Sequence, residues 1–355
     1  MNDSAKLGME RTDKQMKKRV TWIDVAKFFG IFCIYVGHFG QEAGLTYPFV
    51  FFFHVPLFFF LSGCTESMNP ETSILGNLRK KVKGIFLPYL FFVCVSLVVH
   101  VCIYRPGLAA IRYYLLLVLK GCVRNSYIDG SLWFLTCLFV ISILFLFLRQ
   151  IKRKPIILGI CLILYYVSER LLPFRPAVDP RWIYNIDSAC YYLIYYCLGY
   201  LLFEPMDRLF QSEDIRHRIL LGICTVVSVI YAGFLYFGKN LLAWMYPLPV
   251  LGVFGQIGMI MLLIWLVSVL SYLCRNCLLF QNLGKNTLYM CGNEGSIKLI
   301  FSTLAAKVGF YFDIYMPVLI HIYSFLLLLV VHAVLVPLER PVIMFFRKEK
   351  STFFC

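Results

Sequence analysis

The chain has 355 residues, of which 60% are hydrophobic, 17% aromatic and only 15% charged. A soluble protein of this size cannot hide so much apolar surface, and the long apolar runs lack the short alternating segments of a β-barrel. The net charge of +15 is no sign of nucleic-acid binding either, because Lys and Arg cluster beside the ends of apolar runs and form no basic stripe.

Segments of membrane-spanning length, about twenty mostly apolar residues, fall at 21–40, 46–64, 85–104, 131–148, 155–171, 183–203, 218–237, 247–272, 286–307 and 315–337. The stretch 108–120 is too short and too basic to span and is expected as an interfacial helix. The expected fold is an all-α, polytopic membrane helical bundle of about ten transmembrane helices. A tail over 1–20 precedes a membrane domain over 21–340, and a second tail covers 341–355. An even number of spans places both termini on one side. With that side cytoplasmic, internal segments hold 23 of the 34 Lys and Arg and external ones hold 9, so the positive-inside rule predicts cytoplasmic termini. The polar, basic start predicts no cleavable signal peptide.

The first span, "WIDVAKFFGIFCIYVGH", holds three ionisable groups, which are costly at membrane depth. Asp24 lies one turn before Lys27. Lys27 and His38, almost three turns apart, fall on one face about 16 Å from each other along the axis. This predicts a polar stripe linking the two membrane faces. One reading is structural: Lys27 snorkels to the headgroups and pairs with Asp24, while His38 marks the far interface. The other is functional: Lys27 holds an anionic ligand from the cytosol and His38 does proton chemistry further out, as its ordinary pKa of about 6.5 allows.

The second span, "FVFFFHVPLFFFLSGC", embeds His54 among aromatics, where an imidazole needs a polar partner. The short connection between the first two spans makes His38 and His54 candidate neighbours. Ser62 and Gly63 end the aromatic run. "RKKVK" follows, with Arg79, Lys80, Lys81 and Lys83 forming either a topological anchor or a cationic mouth for phosphates. Most of the fourteen cysteines sit singly in apolar runs as small hydrophobes. The CxxC of Cys274 and Cys277 has no second ligand pair, so no metal is expected. No nucleotide-binding loop, dinucleotide fingerprint, HExxH or GxSxG occurs.

"WIDVAKFFGIFCIYVGH", "FHVPLFFFLSG", "KVKGIFLPY", "GSLWFL" and "YYLIYYCLGYLL" occur in the order seen in the integral-membrane acyltransferase-3 superfamily. The chain resembles that superfamily, most closely its fucose 4-O-acetylase-like and polysaccharide O-acetyltransferase branch. The family's basic residue and His, separated by ten residues, are matched by Lys27 and His38. Its aromatic-rich segment ending in Ser-Gly is matched by Phe59 to Gly63, and its basic residue before a Pro-Tyr helix start by Lys83, Pro88 and Tyr89.

The resemblance implies an enzyme in the cytoplasmic membrane of a bacterium. It would carry an acyl group, usually acetyl, from cytosolic acyl-CoA (acetyl-CoA or another acyl-CoA) to a hydroxyl of a cell-surface or lipid-linked glycan. No nucleic acid enters this reading, and membrane lipids surround it. Lys27, Arg79, Lys80, Lys81, Lys83 and Ser62 would hold the donor. His38 would act as general base or carry the acyl group. His54 would orient the His38 ring or stabilise the oxyanion, and Asp24 would hold Lys27.

Span nine departs from the family pattern. Where relatives continue into "YLIH", this chain has Cys291-Gly292-Asn293-Glu294-Gly295. The two glycines suggest a locally loosened helix. Glu294 stands four residues before Lys298, the favoured order for an intrahelical ion pair. Asn293, Glu294, Asp187 and Trp133 are candidates for contact with the acceptor sugar. Two other functions fit a polar path through a membrane bundle: a multi-pass transporter of a sugar, amino acid or lipid-linked glycan, and a non-catalytic component of a surface-polysaccharide system.

Overall fold

The computed structural model describes residues 19–69, 73–307 and 317–347. Most of both expected tails, 1–18 and 348–355, lies outside the described residues, as does the start of the expected tenth span. The described residues are helical, with no strand among them. The helices are α1 (Thr21–Gly37), α2 (Thr46–Phe51), α3 (His54–Ser67), α4 (Ile74–Lys81), α5 (Leu87–Tyr104), α6 (Leu108–Leu119), α7 (Trp133–Leu148) and α8 (Lys154–Tyr166). They continue with α9 (Ile186–Gln211), α10 (Ile215–Tyr236), α11 (Pro249–Leu273), α12 (Leu278–Lys285), α13 (Thr287–Lys307), α14 (Pro317–Val330) and α15 (Val336–Arg347).

Seven helical stretches are long and apolar enough to cross a membrane by length and composition. The expected spans at 21–40, 155–171 and 286–307 are helical but are not among them. α1 is only 17 residues long and carries Asp24 and Lys27. α8 runs on through a π-turn that brings in Glu169 and Arg170, and α13 carries Glu294, Lys298 and Lys307. The stretch expected at the interface forms α6, with most of its apolar side chains exposed. Helix also continues past the expected membrane boundary at 340, because α15 buries Ile343 and ends only at Arg347.

The expected second span is broken at Phe52–Phe53 into α2 and α3. Pro56 has no N–H to give the Phe52 carbonyl, so the helical ladder loses a bond at that point. The side chain of His54 takes the Val50 carbonyl instead, at 2.7 Å.

Around it the bundle is tightly built. α3 crosses α9 where Gly63 and Gly199 face each other's backbones. A β-carbon on Gly63 would lie 2.0 Å from the Tyr196 carbonyl oxygen, and one on Gly199 would lie 1.9 Å from that of Phe60. Close approach of this kind through small residues is how helices associate in lipid. α1 is enclosed by α3, α11, α12 and α13, with Trp22, Ile31 and Tyr35 almost fully buried. α10 leaves Ile219, Ile223, Val226 and Ile230 exposed, a row of the kind that lipid covers.

Candidate active site

α1 stops at Gly37, and His38 caps its C-terminus. Nδ1 of His38 lies 2.7 and 2.8 Å from the two carboxylate oxygens of Glu294 on α13. A carboxylate only accepts, so Nδ1 carries the hydrogen and Nε2 is left with the lone pair in the neutral ring. Glu294 is buried and also receives Lys298 Nζ at 2.7 Å and the Ser131 hydroxyl at 2.7 Å. Lys298 in turn reaches the Tyr35 carbonyl at 3.1 Å, tying α13 back to α1. A buried carboxylate with this many donors keeps its charge and its place.

The His38 side chain is 31% exposed against 2% for Glu294, and the exposed part lines a cavity of about 350 Å³. His54, Trp133, Arg124, Ser131 and Phe134 also face this space. His54 directs Nδ1 to the Val50 carbonyl. A carbonyl also only accepts, so the neutral ring has no N–H left to offer an oxyanion. The expected role of His54 as an oxyanion donor therefore lacks its hydrogen, and the partner that orients His38 is Glu294.

The cation in the cavity is Arg124. Its guanidinium stacks 4.7 Å from the Trp133 ring centre and reaches the Ala177 carbonyl. Its backbone N–H donates to Asn185 Oδ1 at 3.0 Å. Asn185 is itself fixed by Thr136 Oγ1 at 2.9 Å.

Lys27 belongs to a second cavity, of about 620 Å³, lined by Arg19, Asp24, Thr65 and Asn69. Asp24 takes Arg19 at 2.6 and 3.3 Å and stands 3.8 Å from Lys27. The two cavities share no lining residue. Between them a β-carbon on Gly30 would lie 2.8 Å from the Phe58 ring and 3.3 Å from Leu57. The expected polar stripe along α1 is thus two polar ends joined by an apolar contact.

Other residues singled out in the sequence go elsewhere. Lys81 donates to Glu66 at 2.5 Å, and Glu66 also takes Arg149 at 3.2 Å and the Tyr196 hydroxyl at 3.3 Å. Arg79 and Lys80 are exposed on α4, and Lys83 is half-buried in the π-turn after it. The Ser62 hydroxyl is spent on the Phe58 carbonyl of its own helix. Asp187 accepts the N–H groups of Arg181, Trp182 and Ser188 and so fixes the start of α9. Asn293 donates to the Tyr289 carbonyl and to Glu339 on α15, and neither Asn293 nor Asp187 lines the His38 cavity.

The glycines of α13 do not loosen it; the helix runs unbroken. They admit close neighbours. A β-carbon on Gly292 would strike the Phe92 ring at 2.3 Å, and one on Gly295 would strike the Asp129 carboxyl at 2.6 Å.

Sequence reasoning missed Arg124, Ser131 and Asp129. Ser131 lies inside the quoted "GSLWFL", but a small polar residue in a connection gives no periodic signal.

Residues 20–290 match the family model described as an acyltransferase domain, that of the acyltransferase 3 family. The match takes in Lys27, His38, His54, Arg124 and Trp133 and ends four residues before Glu294. No curated protein matches the chain, and no solved structure does. The transporter and scaffold readings give way to this match, which covers most of the chain and both polar ends of α1. Together with the seven helices fit to cross a bilayer, it shows that the chain belongs to the acyltransferase 3 family and is a multi-pass membrane acyltransferase.

Proposed function

We propose that this acyltransferase takes an acyl group, acetyl in the simplest case, from cytosolic acyl-CoA and passes it to a hydroxyl of an extracytoplasmic or lipid-linked sugar, as in the polysaccharide O-acetyltransferase branch. In this reading ten helices cross the membrane and both termini are cytoplasmic, as the distribution of Lys and Arg supports. The Lys27 cavity then opens to the cytosol and the His38 cavity lies toward the outer leaflet.

Arg19 and Lys27 offer the CoA phosphates charge-assisted bonds, and exposed Arg79 and Lys80 add positive potential at the same side. Phe58 and Leu57 close the space at Gly30 between the two cavities, so in this reading their side chains turn aside to let the pantetheine arm bring the thioester to His38. There Nε2 of His38 takes the proton of the sugar hydroxyl as its oxygen attacks the thioester carbonyl. The new C–O bond forms, the C–S bond breaks, and the proton on His38 passes to the departing CoA thiolate. Glu294 holds the ring in the required tautomer and stabilises the transient imidazolium. Arg124, fixed over Trp133, is the donor best placed for the developing oxyanion.

The observation that carries this reading is the two-oxygen grip of Glu294 on His38 Nδ1, which leaves a basic nitrogen at a cavity wall. Membrane vesicles of the producing cell, given labelled acetyl-CoA, test it. Alkali-labile label should enter the glycan fraction only when the protein is present. Label that enters equally without the protein contradicts the proposal.

A further inference from the structure

The neighbourhood of Ser131 contains more acceptors than hydrogens. The Ser131 hydroxyl lies 2.7 Å from Glu294 Oε2 and 3.1 Å from Asp129 Oδ1. It has one hydrogen to give. The shorter contact, to a carboxylate held by Lys298 and His38, takes that hydrogen. The Ser131 oxygen then faces Asp129 Oδ1 lone pair to lone pair, unless Asp129 itself carries a proton.

The rest of the environment of Asp129 points the same way. Asp129 lies in the connection between α6 and α7 and is buried. Its Oδ2 has no hydrogen-bond partner among the described residues, and its carboxyl is pressed against the backbone of Gly295. Oδ1 otherwise receives only the Ser131 N–H, at 3.2 Å. An ionised carboxylate so poorly satisfied, beside a second carboxylate, is costly.

We propose that Asp129 takes up a proton and, as a neutral carboxylic acid, donates to Ser131 Oγ, and that in this form it is a positioning residue acting on His38 through Ser131 and Glu294. The chain of hydrogens then runs in one direction, from Asp129 to Ser131 to Glu294, and meets the hydrogen of His38 Nδ1 at the Glu294 carboxylate. If Asp129 loses its proton, Ser131 is drawn back toward it, and Glu294 loses one of the donors that fix its orientation. This inference rests on His38 being the base.

The titratable groups facing Asp129 are Glu294 and Cys291 on α13, His38 and Tyr35 on α1, and Cys122 and Tyr127 in its own connection. Lys298 stands on the far side of Glu294. Burial pushes the Asp129 carboxyl up to about 6, and the charge of Glu294 acts in the same direction.

Two measurements on the full-length protein test the proposal. The first is the infrared carbonyl stretch of a protonated carboxylic acid, followed as pH is raised. The wild-type minus Asp129→Asn difference should show that band at acidic pH and lose it above about 6. The same band should survive in His38→Ala, so the protonation of Asp129 is read apart from the base role of His38. The second is transfer of labelled acetyl from acetyl-CoA into the glycan fraction of membrane vesicles. Asp129→Asn, whose amide still donates to Ser131, should stay within about threefold of wild type and lose the alkaline fall in rate. Asp129→Ala should drop by about tenfold or more. A difference spectrum without an acid band overturns the proposal, and so does Asp129→Asn as damaged as Asp129→Ala. If His38→Ala keeps full transfer while the band is present, it is the base reading that fails.

Discussion

His38 and Glu294 are 256 positions apart in the chain, yet both oxygens of the Glu294 carboxylate lie within 2.8 Å of one nitrogen of the imidazole. The contact joins the end of the first helix to the middle of α13 and decides which ring nitrogen is free. A Glu294→Gln enzyme keeps the volume but not the charge, and it presents a mixed donor and acceptor face to Nδ1. The rate of acyl transfer should fall by on the order of 10²- to 10⁴-fold, with little change in KM for acyl-CoA. Steady-state rates on folded protein check this, and an unchanged kcat rules it out.

Lys81 and Lys27 were both expected to hold the donor, but their surroundings separate them. Lys81 is one of the groups that satisfy buried Glu66. Lys81→Ala should lower the melting temperature in detergent while leaving stabilisation by acetyl-CoA intact. Lys27→Ala should raise the apparent Kd for acetyl-CoA by roughly 10- to 100-fold, the effect of one charge-assisted bond. Thermal shift against acetyl-CoA concentration distinguishes the two.

The crossing of α3 and α9 tolerates no added atoms. Gly63→Ala places a methyl group 2.0 Å from a backbone carbonyl and should destabilise by about 1–3 kcal/mol or more. Gly159→Ala on α8 meets nothing within 4 Å. It should be neutral or stabilising by about 0.5–1 kcal/mol, because alanine loses less entropy in a helix. Melting temperatures of the two variants should therefore move in opposite directions.

Asp129 also couples stability to pH. Its carboxyl is pushed up to about 6 by burial, above its ordinary value of about 3.9 in an unfolded chain. The folded protein therefore keeps a proton that the unfolded chain has lost across that window. The stability tied to this proton is fully present below the ordinary value and is lost as pH rises through about 6. Asp129→Asn should show a flatter fall of melting temperature over that window than wild type. Parallel curves would place the titration on another group.

What could be read from the sequence was what lies close together along it. Asp24 with Lys27, and Glu294 with Lys298, are three and four residues apart, and helix geometry alone pairs them. The bundle was legible from its apolar runs, though length and apolarity alone do not mark a span where a charged helix is shielded by its neighbours, as α1 is. The match of Glu294 to His38 was hidden, because no spacing rule reaches across most of a chain. Ser131 and Asp129 were hidden for a second reason, since they sit in a connection without a period. The glycines of α13 were visible, but their purpose was misread. Flexibility and close approach use the same residue, and only the positions of Phe92 and Asp129 tell them apart.

The most direct test of the catalytic assignment is mass spectrometry of the cell's surface glycans with the wild-type protein and with His38→Ala at equal membrane abundance. With His38 as the base, an acyl ester is present in the first and missing from the second. An ester that persists unchanged with His38→Ala would contradict it.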